Sequence, residues 1–123
     1  VLALDRLQSV TPSKSKYKPQ GNFKPKDFFK YSLGITQVHD LEPEEVVLSF
    51  TPYQAQYILS QPLHHSQKVI LQNENEVRIS LLVYLTQELT MTVLSYGTGV
   101  KVIKPKSFAK EIVDCLKEVL NKY

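Results

Sequence analysis

Apolar residues at every second position mark the clearest strand of this sequence, over residues 76–85. The apolar side chains that share one face are Val77, Ile79, Leu81, Val83 and Leu85. A period of two is typical of a strand that buries one face. Short runs rich in β-branched residues predict three more strands, at 46–50, 66–72 and 100–104.

Helix signals alternate with these strands. Thr51 and Gln54 form a capping box with Pro52 at the first helical position, and Pro62 must stop that helix by residue 61. Thr86 is expected to cap a second helix that ends at Gly97. A final helix, expected to be capped by Ser107, carries one wide apolar stripe. The stripe consists of Phe108, Ile112, Cys115, Leu116, Val119, Leu120 and Tyr123.

The resulting order over residues 45–123 is β-α-β-β-α-β followed by an extra helix. This order predicts an α+β fold of the ferredoxin-like type, in which two helices cover one face of a four-stranded antiparallel sheet. The extra helix must bury its stripe on the sheet or on another chain.

The N-terminal part of the sequence, residues 1–44, lacks this regular alternation of strand and helix signals. Residues 1–10, with Leu2 and Leu4 alternating with Ala3 and Asp5, predict a strand. Residues 11–44 are interpreted as a linker, because prolines and lysines interrupt any apolar period. Within that linker, residues 27–34 predict a short helix that Asp27 caps and Gly34 ends.

Composition fits one globular domain and excludes a disordered or collagen-like chain. The 123 residues are 42% hydrophobic and 22% charged. No apolar run approaches the ~20 residues that span a bilayer, and no secretory signal opens the sequence. One cysteine makes a cytoplasmic location the default expectation. Val1, which is not a Met, predicts that the sequence is a piece of a longer protein.

The excess positive charge is concentrated in the N-terminal third of the sequence. Residues 1–40 carry a net charge of +4, whereas residues 41–123 carry −1. A phosphate-binding tract is one interpretation. A solvated linker is favoured, because no aromatic platform alternates with these lysines as in single-strand binders.

Most candidate reactive groups have ordinary structural explanations. Cys115 lies on the apolar stripe and is expected to be a core thiol. His64 and His65 are adjacent, so on a strand they point to opposite faces and make a poor metal pair. Gly97-Thr98-Gly99 is half of a dinucleotide fingerprint and follows a helix where a strand is required. We therefore expect neither a metal nor a cofactor.

The segment Pro62–Gln67 is the best candidate for binding. It joins a helix to a strand and is dense in hydrogen-bonding side chains, namely those of His64, His65, Ser66 and Gln67. Polar groups in such a place suit ligand recognition. The alternative is that these side chains only satisfy backbone groups of the loop.

Several phrases in chain order resemble the WYL family. Ala3-Leu4-Asp5-Arg6-Leu7 resembles the closing strand of a WYL domain, and residues 27–35 resemble the aromatic stretch after it. The remaining phrases resemble the WYL C-terminal extension, called WCX. They are V-x-L-x-F at 46–50, P-L-H-x-S-Q at 62–67, L-S-x-G at 94–97 and V-x-V-x-x-P at 100–105.

The resemblance implies a bacterial transcriptional regulator. Such proteins combine a winged helix-turn-helix, a ligand-sensing SH3-like barrel and a ferredoxin-like extension. This sequence contains neither the helix-turn-helix nor the Trp-Tyr-Leu phrase, and it has no tryptophan. The implied role is effector sensing and dimer contact without catalysis. Arg6 matches the family's arginine that lines the effector pocket, and DNA would be bound only through the helix-turn-helix.

Two other functions compete with this one. A stand-alone ferredoxin-like module could bind a small metabolite. An acylphosphatase-like enzyme would need an arginine and an asparagine near a strand-to-helix turn, and Phe50-Thr51-Pro52 offers neither. We further expect no membrane contact, a small-molecule or nucleic-acid effector, and a homodimer joined by residues 1–10 or by the last helix.

Overall fold

Four strands form one antiparallel sheet in the computed structural model, which describes residues 3–36 and 38–123. The strands lie in the order β2-β3-β1-β4, so that β1 and β3 are central and β2 and β4 are edges. Their bounds are β1 (Glu44–Phe50), β2 (Lys68–Gln72), β3 (Val77–Val83) and β4 (Val100–Lys104). The predicted α+β class with its four-stranded sheet is confirmed.

Helices connect the strands where the capping signals predict them. The described residues form α1 (Pro25–Phe28), α2 (Pro52–Ser60), α3 (Gln87–Ser95) and α4 (Lys106–Leu120), with short 3-10 turns at Leu4–Arg6 and Gly97–Gly99. The Thr51 hydroxyl accepts a hydrogen bond from the Gln54 amide at 3.4 Å. The Thr86 hydroxyl accepts one from the Leu89 amide at 3.3 Å. Both predicted caps are thus confirmed.

The core lies on one face of the sheet. Alternate residues of β1 and β3 are buried there together with one face each of α2 and α3. The central members are Val46, Leu48, Phe50, Ile79, Leu81, Ala55, Ile58, Leu89 and Val93. Burial alternates strictly along β3, because the helices cover the face of the sheet that its apolar side chains share, as the sequence predicts.

The last helix packs through its first turns only. Phe108 is 1% exposed and joins the core, whereas the apolar residues of the second half of α4 are exposed. Two expectations are corrected here. Ser107 lies inside α4, whose start has no side-chain cap because Pro105 precedes its first residue. Cys115 is half-buried, since the helix runs beyond the core.

Of the strand expected at residues 1–10, the described residues 3–10 form none. Val1 and Leu2 lie outside the described residues; Leu4–Arg6 is a 3-10 turn, and residues 7–10 are irregular. No described residue from 3 to 43 belongs to a strand. A strand needs a neighbour to satisfy its backbone groups, and no described strand pairs with this segment. Whether the segment closes a barrel elsewhere stays a prediction.

The short helix of the linker is also displaced. The α1 helix begins at Pro25, after Lys24 as the N-cap, rather than after Asp27. Proline at the first helical position explains this start, because its fixed φ suits the helix and it has no amide to satisfy. Residues 29–36 then form turns, with Gly34 at φ +80°.

Candidate functional site

The Pro62–Gln67 loop links α2 to β2, and the Gln67 side chain ties it to the preceding helix. Its Oε1 accepts a hydrogen bond from the Leu63 amide at 2.9 Å, and its Nε2 donates to the Ile58 carbonyl at 2.9 Å. Ile58 belongs to the last turn of α2, where carbonyls have no intrahelical donor. Gln67 therefore stabilises both the helix end and the loop.

The Ser66 hydroxyl extends the sheet beyond the start of β2. It accepts a hydrogen bond from the Leu82 amide at 2.9 Å and lies 3.4 Å from the Leu82 carbonyl. Lys68 pairs with Ser80 in the sheet, so Leu82 is opposite the position where β2 has not yet begun. The Ser66 hydroxyl therefore accepts the hydrogen bond from the Leu82 amide that a backbone carbonyl of β2 would accept if the strand began earlier.

His64 is the buried centre of the loop. It is 9% exposed, and its Nδ1 accepts a hydrogen bond from the Ser66 amide at 3.2 Å and lies 2.7 Å from the Ser66 hydroxyl. Because Nδ1 accepts, the neutral ring carries its proton on Nε2. The Nε2 atom is buried and has no hydrogen-bond partner among the residues that the structure describes.

Burial dominates the electrostatics of His64. Loss of solvent lowers the pKa of its imidazole, the neighbouring charge of His65 lowers the pKa further, and the Lys30 backbone opposes both. The neutral ring is favoured in the folded chain.

His65 is the exposed member of the pair. Its ring centroid lies 4.0 Å from that of His64, with 39° between the planes. The two rings therefore form one tilted stack whose inner ring is braced and whose outer ring faces solvent. Of the loop's two imidazoles, His65 is the one that a ligand can reach.

Arg6 is not joined to this loop. It lies exposed in the 3-10 turn at Leu4–Arg6, and within the described part of the chain its guanidinium has no ion pair. The fold therefore brings four of the five predicted residues together, namely His64, His65, Ser66 and Gln67.

A segment that the sequence assigns to the linker is docked beside the loop. We call residues 30–36 the docked segment. The Tyr31 carbonyl accepts a hydrogen bond from the Tyr84 amide at 2.9 Å, and Leu33 joins the core. The Thr36 amide donates to the Glu88 carboxylate at 3.1 Å. Together with the effect of the Lys30 backbone on the pKa of His64, these contacts place the segment on the domain.

Position 34 favours glycine because of its positive φ, and the Glu88 carboxylate lies close to it. A Cβ there would lie 2.5 Å from the Glu88 Oε2 atom, and φ of +80° is a backbone conformation that glycine adopts freely. Glu88 lies in the first turn of α3, where the helix dipole favours a carboxylate, and this local position is all that the sequence indicates for it.

A second polar cluster crosses the sheet on the face away from the core. Arg78 binds the Glu76 carboxylate through two nitrogens, at 2.9 and 2.7 Å, and the Ser49 hydroxyl donates to the same carboxylate. Hydrogen bonds from Arg78 and Ser49 lower the pKa of Glu76, and the charge of Lys101 adds to the effect. No local pattern in the sequence indicates this cluster, because only the strand register brings its members together.

Metal-ligand clusters and membrane-spanning helices are both missing from the described residues. Residues 3–36 and 38–123 contain no group of three or more His, Cys, Asp or Glu side chains placed to hold a metal ion. Across the same residues, no helix combines the length and apolar character that a bilayer crossing needs. The loop offers hydrogen bonds and one accessible imidazole, which suit recognition.

Together, the four-stranded sheet, its covering helices and the braced histidine loop make up one small α+β domain. The chain belongs to the WCX domain family, whose model matches residues 42–120. The resemblance to the WYL C-terminal extension is thereby confirmed. No curated protein matches the chain.

Proposed function

We propose that this chain is the C-terminal regulatory part of a bacterial WYL-type transcriptional regulator. In this proposal it works in the cytoplasm, senses an effector, contributes to dimer contacts and catalyses no reaction. The match of residues 42–120 to the WCX domain carries the proposal, because WCX is the extension of such regulators. DNA would be bound by a helix-turn-helix encoded outside these residues.

The fold proposed for residues 45–123 is ferredoxin-like. The order β1-α2-β2-β3-α3-β4 and the sheet order β2-β3-β1-β4 support this assignment. In this arrangement the α2–β2 loop projects from one end of the sheet, and residues there can face an upstream domain.

The effector is proposed to contact the loop through His65, with Arg6 approaching from the upstream barrel. The contacts of His64, Ser66 and Gln67 support a shaping role for these three residues, because each is bonded within the loop or to its neighbours. An exposed imidazole on a braced support is a suitable sensor, since little ordering cost remains when a ligand binds.

A homodimer is proposed to form at the β2 edge. All five residues of β2 are exposed, including Val69, Ile70 and Leu71. Residues 3–10 of a second copy carry exposed Leu4 and Leu7 and could add to this edge as a strand. Strand addition would satisfy the free backbone groups of both segments.

The coding sequence upstream of Val1 tests the proposal against the stand-alone module. The proposal expects a winged helix-turn-helix followed by the earlier strands of a WYL barrel. A stand-alone metabolite-binding domain would instead be preceded by a start codon or an unrelated domain. The second result would contradict the proposed regulator function but would not affect the assignment to the WCX family.

A further inference from the structure

An apolar groove lies between α4, β4 and the end of α3, and neither the effector loop nor the β2 edge uses it. The groove has a volume of about 480 Å³. Its walls include Val93, Leu94, Val100, Val102, Ile112 and Leu116. Among the described residues that line it, Lys101 is the one charged residue.

The outer wall of the groove is the unburied half of α4. Phe108 anchors the first turn, but Leu116 is 52% and Leu120 is 73% exposed. Exposed leucines that continue an apolar groove along a helix are typical of a binding surface. The groove and this stripe therefore form one elongated apolar surface.

Charges on α4 are separated by sign around the helix axis. At about 100° per residue, Lys106, Lys110 and Lys117 fall on the edge next to Val113 and Leu120. The acidic residues Glu111, Asp114 and Glu118 fall beyond them, on the far side from the exposed leucines. The Glu111 carboxylate is used inside the domain, where it accepts a hydrogen bond from the Thr90 hydroxyl at 2.9 Å.

We propose that this groove docks an amphipathic helix of a protein partner that carries acidic side chains along one edge. Its apolar residues would fill the groove at helical spacing, and its carboxylates would face the lysine edge of α4. Three lysines spread over eleven helical steps extend about 16 Å, which suits an elongated partner better than one small carboxylate. A flat lipid surface would leave the concave part of the groove empty.

This contact is additional to the proposed effector loop and does not require it. A regulator with such a groove could bind a second protein while its loop senses the effector. Failure of the groove experiment would leave the proposed regulatory function standing, because that function rests on the family match.

Two designed peptides of opposite charge test the groove on the intact chain. Each is a helix of about 16 residues with leucines at i, i+3, i+4 and i+7, and its edge positions are all Glu or all Lys. Fluorescence anisotropy should show saturable binding of the Glu peptide, at least roughly tenfold tighter than the Lys peptide, and weaker in high salt.

Charge reversal on the chain provides the decisive comparison. The variant K106E/K110E/K117E should prefer the Lys peptide, and its far-ultraviolet circular dichroism should be unchanged because these lysines are exposed. The control K14E/K16E/K18E changes the charge equally in the linker and should keep the preference for the Glu peptide.

Several results would overturn the proposal. These are no saturation by the Glu peptide, equal affinity for both peptides, the same loss of preference in the linker control, and binding to anionic vesicles without peptide binding. Self-association that Leu116→Ser abolishes would assign the groove to a second copy and would also overturn it.

Discussion

The Ser66 hydroxyl and the Leu82 amide, sixteen residues apart in sequence, are joined by a hydrogen bond of 2.9 Å at the end of the sheet. The same hydroxyl lies 2.7 Å from the His64 Nδ1 atom. One side chain thus connects the buried imidazole to a central strand. Protonation of His64 at Nδ1 would remove the acceptor that the Ser66 amide uses, and would disturb this connection.

The stability of the chain is expected to depend on the protonation of His64. Burial lowers its pKa below the usual 6.5 in the folded chain, whereas the unfolded chain keeps the usual value. The unfolded state therefore binds more protons between these two values, and the free energy of unfolding falls as the pH drops below about 6.5. Above that pH the contribution is fully present.

Urea unfolding at several pH values checks this dependence. His64→Gln should cost about 1–2 kcal/mol at neutral pH through lost loop contacts, and should flatten the profile between pH 7 and pH 5. His65→Gln is the matched control, because its ring is exposed. It removes the smaller cause of the His64 pKa shift and keeps burial, the larger one, so most of the fall with acidity should remain. Equal profiles for wild type and His64→Gln would refute the assignment.

Gly34 should tolerate substitution far less than Gly21. Gly34→Ala places a Cβ against the Glu88 carboxylate at a positive φ, so we expect a loss of about 1–3 kcal/mol. Gly21→Ala meets nothing within 4 Å and should be close to neutral. Thermal unfolding of both variants measures the difference. A neutral Gly34→Ala would show that the docked segment is not held as described.

Self-association should depend on the N-terminal residues. Light scattering at tens of micromolar should give twice the chain mass for the intact chain and a single chain mass for residues 24–123, which lack the segment that adds to β2. The shorter chain keeps Leu33 and the whole sheet. A single chain mass for both would contradict the dimer, and a dimer of both would move the interface away from residues 1–23.

Duplex DNA should bind only weakly to this chain. Its excess positive charge lies in residues 1–40, and the described helices do not include a helix-turn-helix. Electrophoretic shifts should give non-specific affinities of roughly 10⁻⁴–10⁻⁶ M that weaken steeply with salt. A sequence-selective shift that persists at physiological salt would show that the chain reads DNA itself.

Local signals predicted the fold well. The caps Thr51 and Thr86 and the alternation in β3 act within a few residues, so the sequence contains the whole cause. Residues 1–10 show the limit, because alternation alone does not make a strand without a neighbour. Their predicted strand is replaced by a 3-10 turn and irregular backbone in the described residues.

The sequence predicted which residues form the candidate loop, but not the different roles of its two histidines. P-L-H-x-S-Q identified the loop, but burial separates His64 from His65, and that depends on packing against residues far away in sequence. The contact of Thr36 with Glu88 spans 52 residues. No periodicity or spacing reports such a contact, and it turns part of an apparent linker into the docked segment.

Genome-wide DNA occupancy of the intact protein in its host tests the central claim most directly. Wild type should occupy discrete promoters, and His65→Ala should change that occupancy while its melting temperature stays the same. Ser60→Ala, an exposed position at the end of α2, should behave as wild type. Absence of promoter occupancy by the wild-type protein would contradict a regulator. Unchanged occupancy in His65→Ala, with lower melting temperatures for His64→Ala and Ser66→Ala, would show that the loop only braces the fold.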